Sequence, residues 1–476
     1  MITKTEENLT SLLENWSGEK VKKIDPLPAH GSERHYYRLH TSKKTFIGAH
    51  NHDQSENLAF LSFSRHFFKA GLPVPEIYAE DLANGIYLEQ DLGDVTLFDF
   101  LNTVRSKEGF SEKIITAYER VIAILPQFQI TAGLSIDYNR CYPRHSFDKQ
   151  SMMWDLNYFK YYFLKLAKIP FDEQKLEDDF QNFTDFLLSA GRDYFLYRDF
   201  QSRNVMLVKG SPYFIDYQGG RKGALQYDIA SLLYDAKADI PQEVRQYLLE
   251  KYIDTLKKYI PIDRNAFISY YNGYVLIRIM QALGAYGFRG FYERKEHFLK
   301  SVPYAIKNLE YLLNTIDLPL PLPALTDAWS KVVQSTFLRQ LGDVKLRLKV
   351  RIQSFSYKRG IPWDEKGHGG GFVMDCRSLP NPGKLPEYSH ENGSDSKVIQ
   401  YLENKKEVKS FLKHTCQIID QAVNNYQQRN FTDLLVAFGC TGGQHRSVYC
   451  ANQLANHLKS KFDIDVDVRH LELENK

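Results

Sequence analysis

The chain has 476 residues, with 61 Lys and Arg against 58 Asp and Glu, and 43% of its residues are hydrophobic. This length suggests two to four domains, and the composition excludes a disordered, collagen-like or disulfide-stapled protein. The cysteines are scattered and form no CxxC pair, which is typical of a reducing compartment. Because the first residues lack the apolar core of a signal peptide and no apolar run reaches membrane length, we expect a cytoplasmic protein with no membrane partner.

Charge and composition divide the chain into two unequal regions. Residues 344–476 hold 20 Lys and Arg against 15 Asp and Glu, whereas the rest of the chain holds 41 against 43. The Leu-Pro alternation that begins at residue 317, DLPLPLPALTDAWS, disfavours helix and sheet and indicates an extended connector. We therefore predict a first domain over 1–316, a Leu/Pro-rich linker over 317–343 and a second domain over 344–476.

The first region begins with strands and turns around a single helix. HGSERHYYRLHTSKKTFIGAH alternates on both sides of a turn, which predicts a hairpin. A helix is predicted at about 55–70, and LPVPEIYAED and GIYLEQDLGD complete a predicted five-strand sheet. Beyond residue 100 helical periodicity dominates. A sheet followed by helices predicts an α+β fold.

The most informative stretch of the helical part is YFLYRDFQSRNVMLVKGSPYFIDYQGG, residues 194–220. Asp199 is followed by Asn204 after four residues and by Asp216 at the end of an apolar strand, with VMLV and YFI predicted as hairpin strands around a KGSP turn. Phosphoryl transfer needs a carboxylate that accepts the proton of the attacking hydroxyl, and oxygen ligands that hold Mg²⁺ against ATP. The order predicts Asp199 as catalytic base and Asn204 and Asp216 as metal ligands. The alternative is that these polar residues only cap turns.

The first region resembles the aminoglycoside phosphotransferase-like kinases, and within them the N-acetylmuramate/N-acetylglucosamine anomeric kinases. The similar segments are GSERHYYRL, LEQDLGD, RDFQSRNVM, IDYQGG, YDIASLLYDA and RIMQALGAYGF, which span residues 25–310. The resemblance implies a bilobal protein-kinase-like fold that uses ATP and Mg to phosphorylate a sugar. It implies that Asp228 is structural and ties the catalytic segment to a helix. The ATP-binding residues that it implies are Gly31, Ser32, Glu89, Asp91 and Leu92.

Two residues depart from the pattern of these kinases. Tyr197 stands where the wider family usually has His, and the third strand, TFIGAH, has no interior Lys to neutralise the α- and β-phosphates. Losing that Lys removes one charge-assisted contact, for which Mg²⁺ could compensate. A pseudokinase is therefore the alternative for this region.

The second region opens with a stretch in which apolar and basic residues alternate from Val344 to Ile352. A period of two predicts a strand with one buried face and a row of cations on the other. Cations at this spacing could contact the phosphates of a nucleic acid, or they could form a solvated face that prevents edge aggregation. The candidate nucleic-acid contacts are Lys345, Arg347, Lys349 and Arg351.

A strand, a glycine loop and a helix are predicted in DLLVAFGCTGGQHRSVYCANQLANHLKSKF. Leu434 to Phe438 is a continuous apolar strand, and the following helix carries Ala451, Leu454 and Leu458 on one side. Backbone N–H groups and the positive end of the helix dipole then meet at one point, and Arg446 adds a bidentate donor, so this loop suits a phosphate. FVMDCRSLPNP predicts a second strand that ends at the same sheet edge, with Asp375 and Arg377.

Three interpretations compete for this loop. Cys440 and Arg446 are separated by five residues, as in cysteine-dependent phosphatases, where a helix N-terminus lowers the thiol pKa. A non-catalytic phosphosugar or phosphate sensor needs only the loop and Arg446. A glycine turn with a surface Arg needs no ligand, and a Walker A motif does not fit the spacing.

Residues 344–476 resemble the C-terminal domain of the RNase adapter RapZ family, through QSFSYKRGIP, DCRSLPNP, GCTGGQHRSV and VRHLEL. The resemblance implies binding of glucosamine-6-phosphate and a role in RNA regulation of amino-sugar synthesis. Gly383 stands where that family carries a ligand-contacting His, and a kinase-like region takes the place of the P-loop NTPase domain that precedes this module. The candidate phosphosugar- and anion-binding residues are Asp375, Arg377, Cys440, Thr441, Gly442, Gly443, His445, Arg446 and Ser447.

Together these patterns predict an α+β bilobal kinase-like domain followed by a smaller α/β domain of RapZ C-terminal type. The predicted function is ATP- and Mg-dependent phosphorylation of a sugar hydroxyl, with a cell-wall amino sugar as substrate and a phosphosugar ligand at the second domain. The alternative is a non-catalytic adaptor that binds RNA and carries a pseudokinase domain.

Overall fold

The computed structural model describes residues 3–28, 34–316, 318–342, 347–364, 371–388, 390–429 and 431–474. It divides into two compact units, the first formed by residues 1–288 with 300–342 and the second by residues 289–299 with 343–476. Within the described ranges, no helix is long and apolar enough to cross a membrane.

The first unit begins with a helix, α1 (Lys4–Ser17), and an antiparallel sheet that has five strands in the described part of this unit. The strands are β1 (Lys23–Pro26), β2 (His35–His40), β3 (Thr45–His50), β4 (Ile77–Asp81) and β5 (Ile86–Gln90), in the order β1-β2-β3-β5-β4. The single helix between β3 and β4 is α2 (Gln54–Lys69), which Asp53 caps by accepting hydrogen bonds from the backbone N–H groups of Ser55 and Glu56. The predicted hairpin, helix and five-strand sheet are confirmed.

Helix α1 lies against the sheet and was not predicted from the sequence. It starts with a capping box between Thr3 and Glu6, and it buries Leu9 and Leu13. A Cβ atom on Gly48 would lie 2.8 Å from side-chain atoms of Leu9 and Leu39, so the glycine in β3 lets the helix approach closely.

The rest of the first unit is mainly helical and carries two short antiparallel strand pairs. The helices are α3 (Leu97–Glu108), α4 (Glu112–Pro126), α5 (Lys149–Tyr158), α6 (Glu173–Leu188), α7 (Leu225–Leu233), α8 (Gln242–Leu256) and α9 (Arg264–Tyr286). The strand pairs are β6 (Tyr194–Leu196) with β9 (Arg221–Gly223), and β7 (Val205–Val208) with β8 (Ser211–Phe214). The α+β bilobal architecture predicted for this region is confirmed.

After α9 the chain enters the second unit through the short helix α10 (Glu296–Leu299) and then returns to the first. There it forms α11 (Val302–Thr315), α12 (Pro323–Gln334) and α13 (Thr336–Arg339). The prediction of an extended linker over 317–343 is wrong where α12 forms. This helix buries Trp329, and the Leu325 N–H in its first turn donates a hydrogen bond to the Asp179 carboxylate of α6 at 2.9 Å. Pro323 is compatible with this helix because proline fits the first turn, where its missing N–H needs no partner.

The second unit contains a parallel sheet of four strands in its described residues. The strands are β10 (Lys349–Ser356), β11 (Phe372–Asp375), β12 (Asp433–Cys440) and β13 (Asp465–His470), in the order β11-β12-β10-β13. The helices are α14 (Ser396–Glu403), α15 (Lys406–Gln428), α16 (Arg446–Lys461) and α17 (Leu471–Glu474). Strand β12 is almost wholly buried, and α16 buries Ala451, Leu454 and Leu458, so both sequence predictions are confirmed. The α/β class predicted for this domain is confirmed as well.

The segment 289–299 packs within the second unit. The Arg294 guanidinium donates a hydrogen bond to the Arg347 carbonyl at 3.0 Å, and the Thr432 hydroxyl donates one to the Arg294 carbonyl at 2.8 Å. These bonds connect the segment to the residues that precede β10 and β12. The second unit is therefore discontinuous in sequence.

Replacing Trp329 by Ala tests whether α12 is an integral part of the first unit. Trp329 is 2% exposed, so truncation should lower the free energy of unfolding by about 3–5 kcal/mol. Trp363, which is 84% exposed, provides the matched control, and Trp363→Ala should change stability by less than about 0.5 kcal/mol. Denaturant titration followed by circular dichroism measures both, and equal stability of the two variants would contradict this packing.

Candidate functional site

The predicted catalytic hairpin forms with a shorter turn than expected. Strands β7 and β8 pair from Val205–Phe214 to Val208–Ser211, so the turn consists of Lys209 and Gly210 rather than KGSP. Both residues have positive φ angles, 51° and 80°, as a two-residue hairpin turn of this handedness requires. The turn places Asn204 just before β7 and Asp216 just after β8.

The structure brings the three predicted catalytic residues together. The Asn204 side-chain amide donates to an Asp216 carboxylate oxygen at 2.9 Å and to the Asp199 backbone carbonyl at 2.9 Å. The Gln218 amide donates to the other Asp216 oxygen at 2.8 Å. Burial, followed by the nearby Asp199 carboxylate, raises the pKa of Asp216. The cluster therefore concentrates carboxylate and amide groups in a partly buried position.

A fully buried carboxylate, Asp228 of α7, holds the catalytic segment. It accepts hydrogen bonds from the backbone N–H groups of Tyr197 at 2.9 Å and Arg198 at 3.1 Å, and from the Gln129 amide at 3.0 Å. Burial raises its pKa to about 7, and these hydrogen bonds oppose the increase. The structural role inferred for Asp228 is confirmed.

The hydroxyl group of Tyr197 connects the segment around Asp199 to the residues before Asp216. The hydroxyl donates to the Ile215 carbonyl at 2.6 Å, directly before Asp216, and the side chain is fully buried. The catalytic segment around Asp199 is thereby connected to the metal-ligand candidate Asp216. The departure from His at this position leaves the connection in place.

Helix α2 holds the segment that follows Asp216. The Tyr217 hydroxyl lies 2.6 Å from the Ser64 hydroxyl, and its ring stacks on Phe60 with centroids 5.2 Å apart. Both partners belong to α2, which also carries Glu56. Glu56 accepts a hydrogen bond from Gln218 at 3.2 Å and pairs with Arg34 at 3.2 Å. Sheet lobe and helical lobe thus meet in one polar network.

The predicted ATP-binding residues differ in their surroundings. Gly31 and Ser32 lie outside the described residues. Glu89 is buried, and burial raises its pKa to about 8. Asp91 pairs with the Arg38 guanidinium at 2.8 Å, and the Leu92 side chain is largely buried. Glu89 lies near the end of β5, and Asp91 and Leu92 directly follow the strand.

The donor set around Asp216 fits a magnesium–nucleotide complex. Mg²⁺ prefers oxygen ligands and is usually held by one or two protein side chains together with phosphates and waters. Asn204 and Asp216 supply two oxygen-bearing side chains in direct contact. Within the described ranges no group of three or more His, Cys, Asp or Glu side chains is arranged to hold a metal by itself, so phosphate oxygens would have to complete the shell.

The second candidate site lies at the carboxyl ends of the parallel strands in the second unit. From β10 the chain crosses to β11 on one side, and from β12 it crosses through α16 to β13 on the other. Strands β10 and β12 are neighbours, so a topological switch point lies between them, where ligands bind in open α/β sheets. The glycine loop 441–445 follows β12 at this point, and Ser356 at the end of β10 donates to the Thr441 carbonyl at 2.8 Å.

The two residues that flank this loop, Cys440 and Arg446, are buried, whereas Thr441 and Gly442 within it are exposed. Arg446 is 4% exposed and donates from Nη1 to the carbonyls of Arg377 at 2.9 Å and Leu379 at 3.0 Å. Its Nε has no hydrogen-bond partner in the part of the chain that the structure describes. The Cys440 thiol lies 3.2 Å from the Ser447 hydroxyl. Burial acts to raise the pKa of Cys440, but hydrogen bonds from Ser447 and the charge of Arg446 lower it overall.

The remaining predicted ligands surround the same loop. Asp375 is the register partner of Gly439, and its carboxylate pairs with Arg377 at 2.7 Å, so both lie at the predicted sheet edge. Gly383, at the position where the sequence comparison expected a His, lies beside another histidine. A Cβ atom on Gly383 would lie 3.0 Å from the ring of His445. Gly442 lies in the loop, and Gly443 adopts a positive φ of 66°.

The predicted row of cations is paired with carboxylates. Arg347 contacts Asp463 at 2.7 Å, and Lys349 contacts Asp467 at 3.1 Å. Arg351 is largely buried and contacts Asp433 at 2.6 Å. Lys345 lies outside the described residues, as do the first residues of the strand predicted from Val344, and the observed strand β10 begins at Lys349.

Sequence reasoning missed several residues of the first site. Arg34, Glu56 and Gln218 join the network around Asp216, although no local motif marks them. Arg198 pairs with Asp155 at 2.7 Å, which fixes the residue directly before Asp199. The signal that could have found Glu56 is its position on the helix after β3, because kinases carry on that helix the glutamate that pairs with the phosphate-binding Lys.

The five-strand lobe and the helical lobe define a kinase-like fold. Residues 23–262 match the family model described as the phosphotransferase enzyme family, and residues 348–474 match the model of the RapZ C-terminal domain. The chain belongs to the phosphotransferase enzyme family, and it carries a RapZ C-terminal domain as a second module.

Curated relatives match part of the chain. A nucleotide-binding protein of Glaesserella parasuis serovar 5 (strain SH0165) is 40% identical over 139 residues, which is 29% of this chain and 46% of that protein. A nucleotide-binding protein of Thermotoga neapolitana (strain ATCC 49049 / DSM 4359 / NBRC 107923 / NS-E) is 37% identical over 144 residues, 30% of this chain and 48% of that protein. The chain spans about half the length of the curated relatives that it matches.

Solved structures of similar fold include two phosphotransferases. Choline kinase LicA from Streptococcus pneumoniae is 16% identical, with a TM-score of 0.45 over 65% of this chain and 100% of that chain. Spectinomycin phosphotransferase APH(9)-Ia, solved with ADP and spectinomycin, is 14% identical, with a TM-score of 0.42 over 68% of this chain and 98% of that chain.

Tyr197→Phe tests the connection between the catalytic segment and Asp216. The substitution removes only the hydroxyl that donates to the Ile215 carbonyl, and leaving this buried acceptor unpaired should cost about 1–3 kcal/mol of stability. Tyr213→Phe in the neighbouring strand β8 is the control, because the Tyr213 hydroxyl makes no hydrogen bond to the described residues. Equal free energies of unfolding for the two variants, measured by denaturant titration, would contradict the connection.

Proposed function

We propose that the first unit is an ATP- and Mg-dependent kinase that phosphorylates a sugar hydroxyl, with a cell-wall amino sugar as substrate. The observation that carries the proposal is the direct contact of Asn204 with Asp216 beside Asp199. The family match supports phosphoryl transfer, and the structure of spectinomycin phosphotransferase with ADP supports an adenine nucleotide as donor. The amino-sugar substrate rests on the sequence resemblance to anomeric kinases.

In this proposal each residue has one task. Asp199 accepts the proton of the attacking sugar hydroxyl. The ion pair of Arg198 with Asp155 helps to orient Asp199 by fixing the backbone directly before it. Asn204 and Asp216 would hold Mg²⁺, which neutralises charge on the transferring phosphoryl group. Tyr197 and Asp228 keep these side chains in place through backbone hydrogen bonds. Catalysis then rests mainly on positioning and electrostatics.

We propose further that the second unit binds a phosphosugar at the switch-point loop. The buried Arg446, its unpartnered Nε and the N-terminus of α16 support an anion site. The RapZ C-terminal match supports an amino-sugar phosphate as ligand. This ligand class would let the second unit sense the products of amino-sugar metabolism.

Two other functions have weaker support. Nucleic-acid binding through β10 is disfavoured because Arg347, Lys349 and Arg351 already pair with carboxylates, which neutralise their charge. A phosphatase would need Cys440 as a thiolate nucleophile, and its pKa is lowered, but the thiol is 3% exposed. Both remain measurable alternatives, the first by salt-dependent RNA retention and the second by hydrolysis of a phosphate ester.

Asp199→Asn tests the kinase assignment. With labelled ATP and a panel of amino sugars, the wild type should transfer phosphate, and the variant should be slower by about 100-fold or more because the catalytic base is lost. Asp193→Asn is the matched control, since the Asp193 side chain is 95% exposed and contacts Lys222 at 3.9 Å. No transfer by the wild type, or full transfer by Asp199→Asn, would defeat the proposal.

Thr441→Val tests the anion site of the second unit. Glucosamine 6-phosphate should bind the wild type, and removing the loop hydroxyl should weaken binding roughly 10- to 150-fold, as expected for one lost hydrogen bond to a charged group. Ser460→Ala, near the opposite end of α16, should leave the affinity unchanged. Calorimetric titration measures the affinity of both variants. Glucosamine, which differs from this ligand only in lacking the phosphate, is the comparison ligand. Equal affinity of glucosamine and its phosphate would exclude a phosphate-reading loop.

A further inference from the structure

Strand β3 offers no cation to a bound nucleotide. Kinases of this fold place a Lys on this strand and pair it with a Glu of the following helix. Here Ala49 occupies the row between Tyr36 of β2 and Tyr87 of β5, and it is fully buried. The two Lys residues near the start of the strand serve elsewhere. Lys43 pairs with Glu19 at 3.2 Å, and Lys44 lies over the rings of Phe46 and Tyr78.

The helix glutamate is nevertheless present and paired. Glu56 of α2 lies 3.2 Å from the guanidinium of Arg34, and it also accepts hydrogen bonds from Asn51 at 2.7 Å and Gln218 at 3.2 Å. Arg34 is the residue directly before β2, the neighbour of β3 in the sheet. The cation therefore reaches Glu56 from the start of β2 and not from β3. The ion pair typical of kinases is therefore retained, with its cation moved by one strand.

The position of Arg34 connects it to the metal-ligand candidates. Gln218 bonds both Glu56 and Asp216, so Arg34, Glu56, Gln218, Asp216 and Asn204 form one continuous network. The Arg34 side chain is 2% exposed, and its guanidinium carbon lies 5.4 Å from the centroid of the Phe60 ring.

We propose that Arg34 is the phosphate-neutralising cation of this kinase and that Glu56 is its positioning residue. The inference rests on the proposed kinase function of the first unit. Its ligand is the negatively charged polyphosphate of the nucleotide, and a guanidinium suits it because two parallel N–H groups can donate to phosphate oxygens. Arg34 takes the place of the missing β3 Lys, so the absent Lys is no sign of a dead kinase.

The test measures nucleotide affinity separately from turnover. Isothermal titration with a non-hydrolysable ATP analogue and with adenosine compares ligands that differ in the polyphosphate. Arg34→Met should weaken binding of the ATP analogue about tenfold or more and change adenosine binding less than about twofold. Arg34→Lys should recover part of the loss because it keeps the charge. Arg65→Met is the control, since Arg65 lies on α2, is mainly exposed and pairs with Glu80.

Arg34 is buried beside Glu56, so the single variant could unfold through the uncompensated carboxylate. The double variant Arg34→Met with Glu56→Gln removes both charges, so it keeps the test valid if the single variant unfolds. Wild-type affinity for the ATP analogue in either folded variant overturns the inference. If the wild type does not bind the ATP analogue and does not transfer phosphate, the kinase proposal itself is wrong. Failure of the Arg34 inference and failure of the kinase proposal are therefore distinguishable.

Discussion

The first site depends on one buried carboxylate, that of Asp228. A buried charge is costly unless hydrogen bonds satisfy it, and here two consecutive backbone N–H groups and one side-chain amide do so. These bonds hold Arg198 at a φ of 81°, a left-handed conformation that costs a non-glycine residue about 1–3 kcal/mol. The strained backbone then directs Asp199 toward Asn204 and Asp216. The hydrogen bonds to Asp228 and the ion pair of Arg198 with Asp155 together compensate for that strain.

Much of the first site could be predicted because its members follow one another in a fixed order along the chain. Asn204 and Asp216 flank the hairpin of β7 and β8, and Asp199 lies five residues before Asn204, so their spacing along the chain indicated that they meet. Arg34 and Glu56 could not be paired in this way, since their contact depends on how β2 and α2 pack in three dimensions. Helix α12 was missed for a similar reason, because its cap, Asp179, comes from a distant helix.

The cations of β10 show a different limit of pattern analysis. Alternation indicated a strand, and residues 349–352 of β10 do alternate between partly buried and buried positions, but the pattern carried no information about the neighbours of that strand. β10 lies in the interior of the sheet, between β12 and β13, and these strands supply Asp433 and Asp467. A row of like charges on an interior strand needs opposite charges beside it, whereas an edge strand can leave such a row in water.

The return of the chain through residues 289–299 has a practical consequence for dividing this protein. Polypeptide crosses between the two units three times, after Phe288, after Leu299 and after Gly342. A fragment that starts at residue 344 would lack Arg294, so the Thr432 hydroxyl and the Arg347 carbonyl would lose their acceptor and donor. The contributions of the two units are therefore better separated with point substitutions in the intact polypeptide than by truncation.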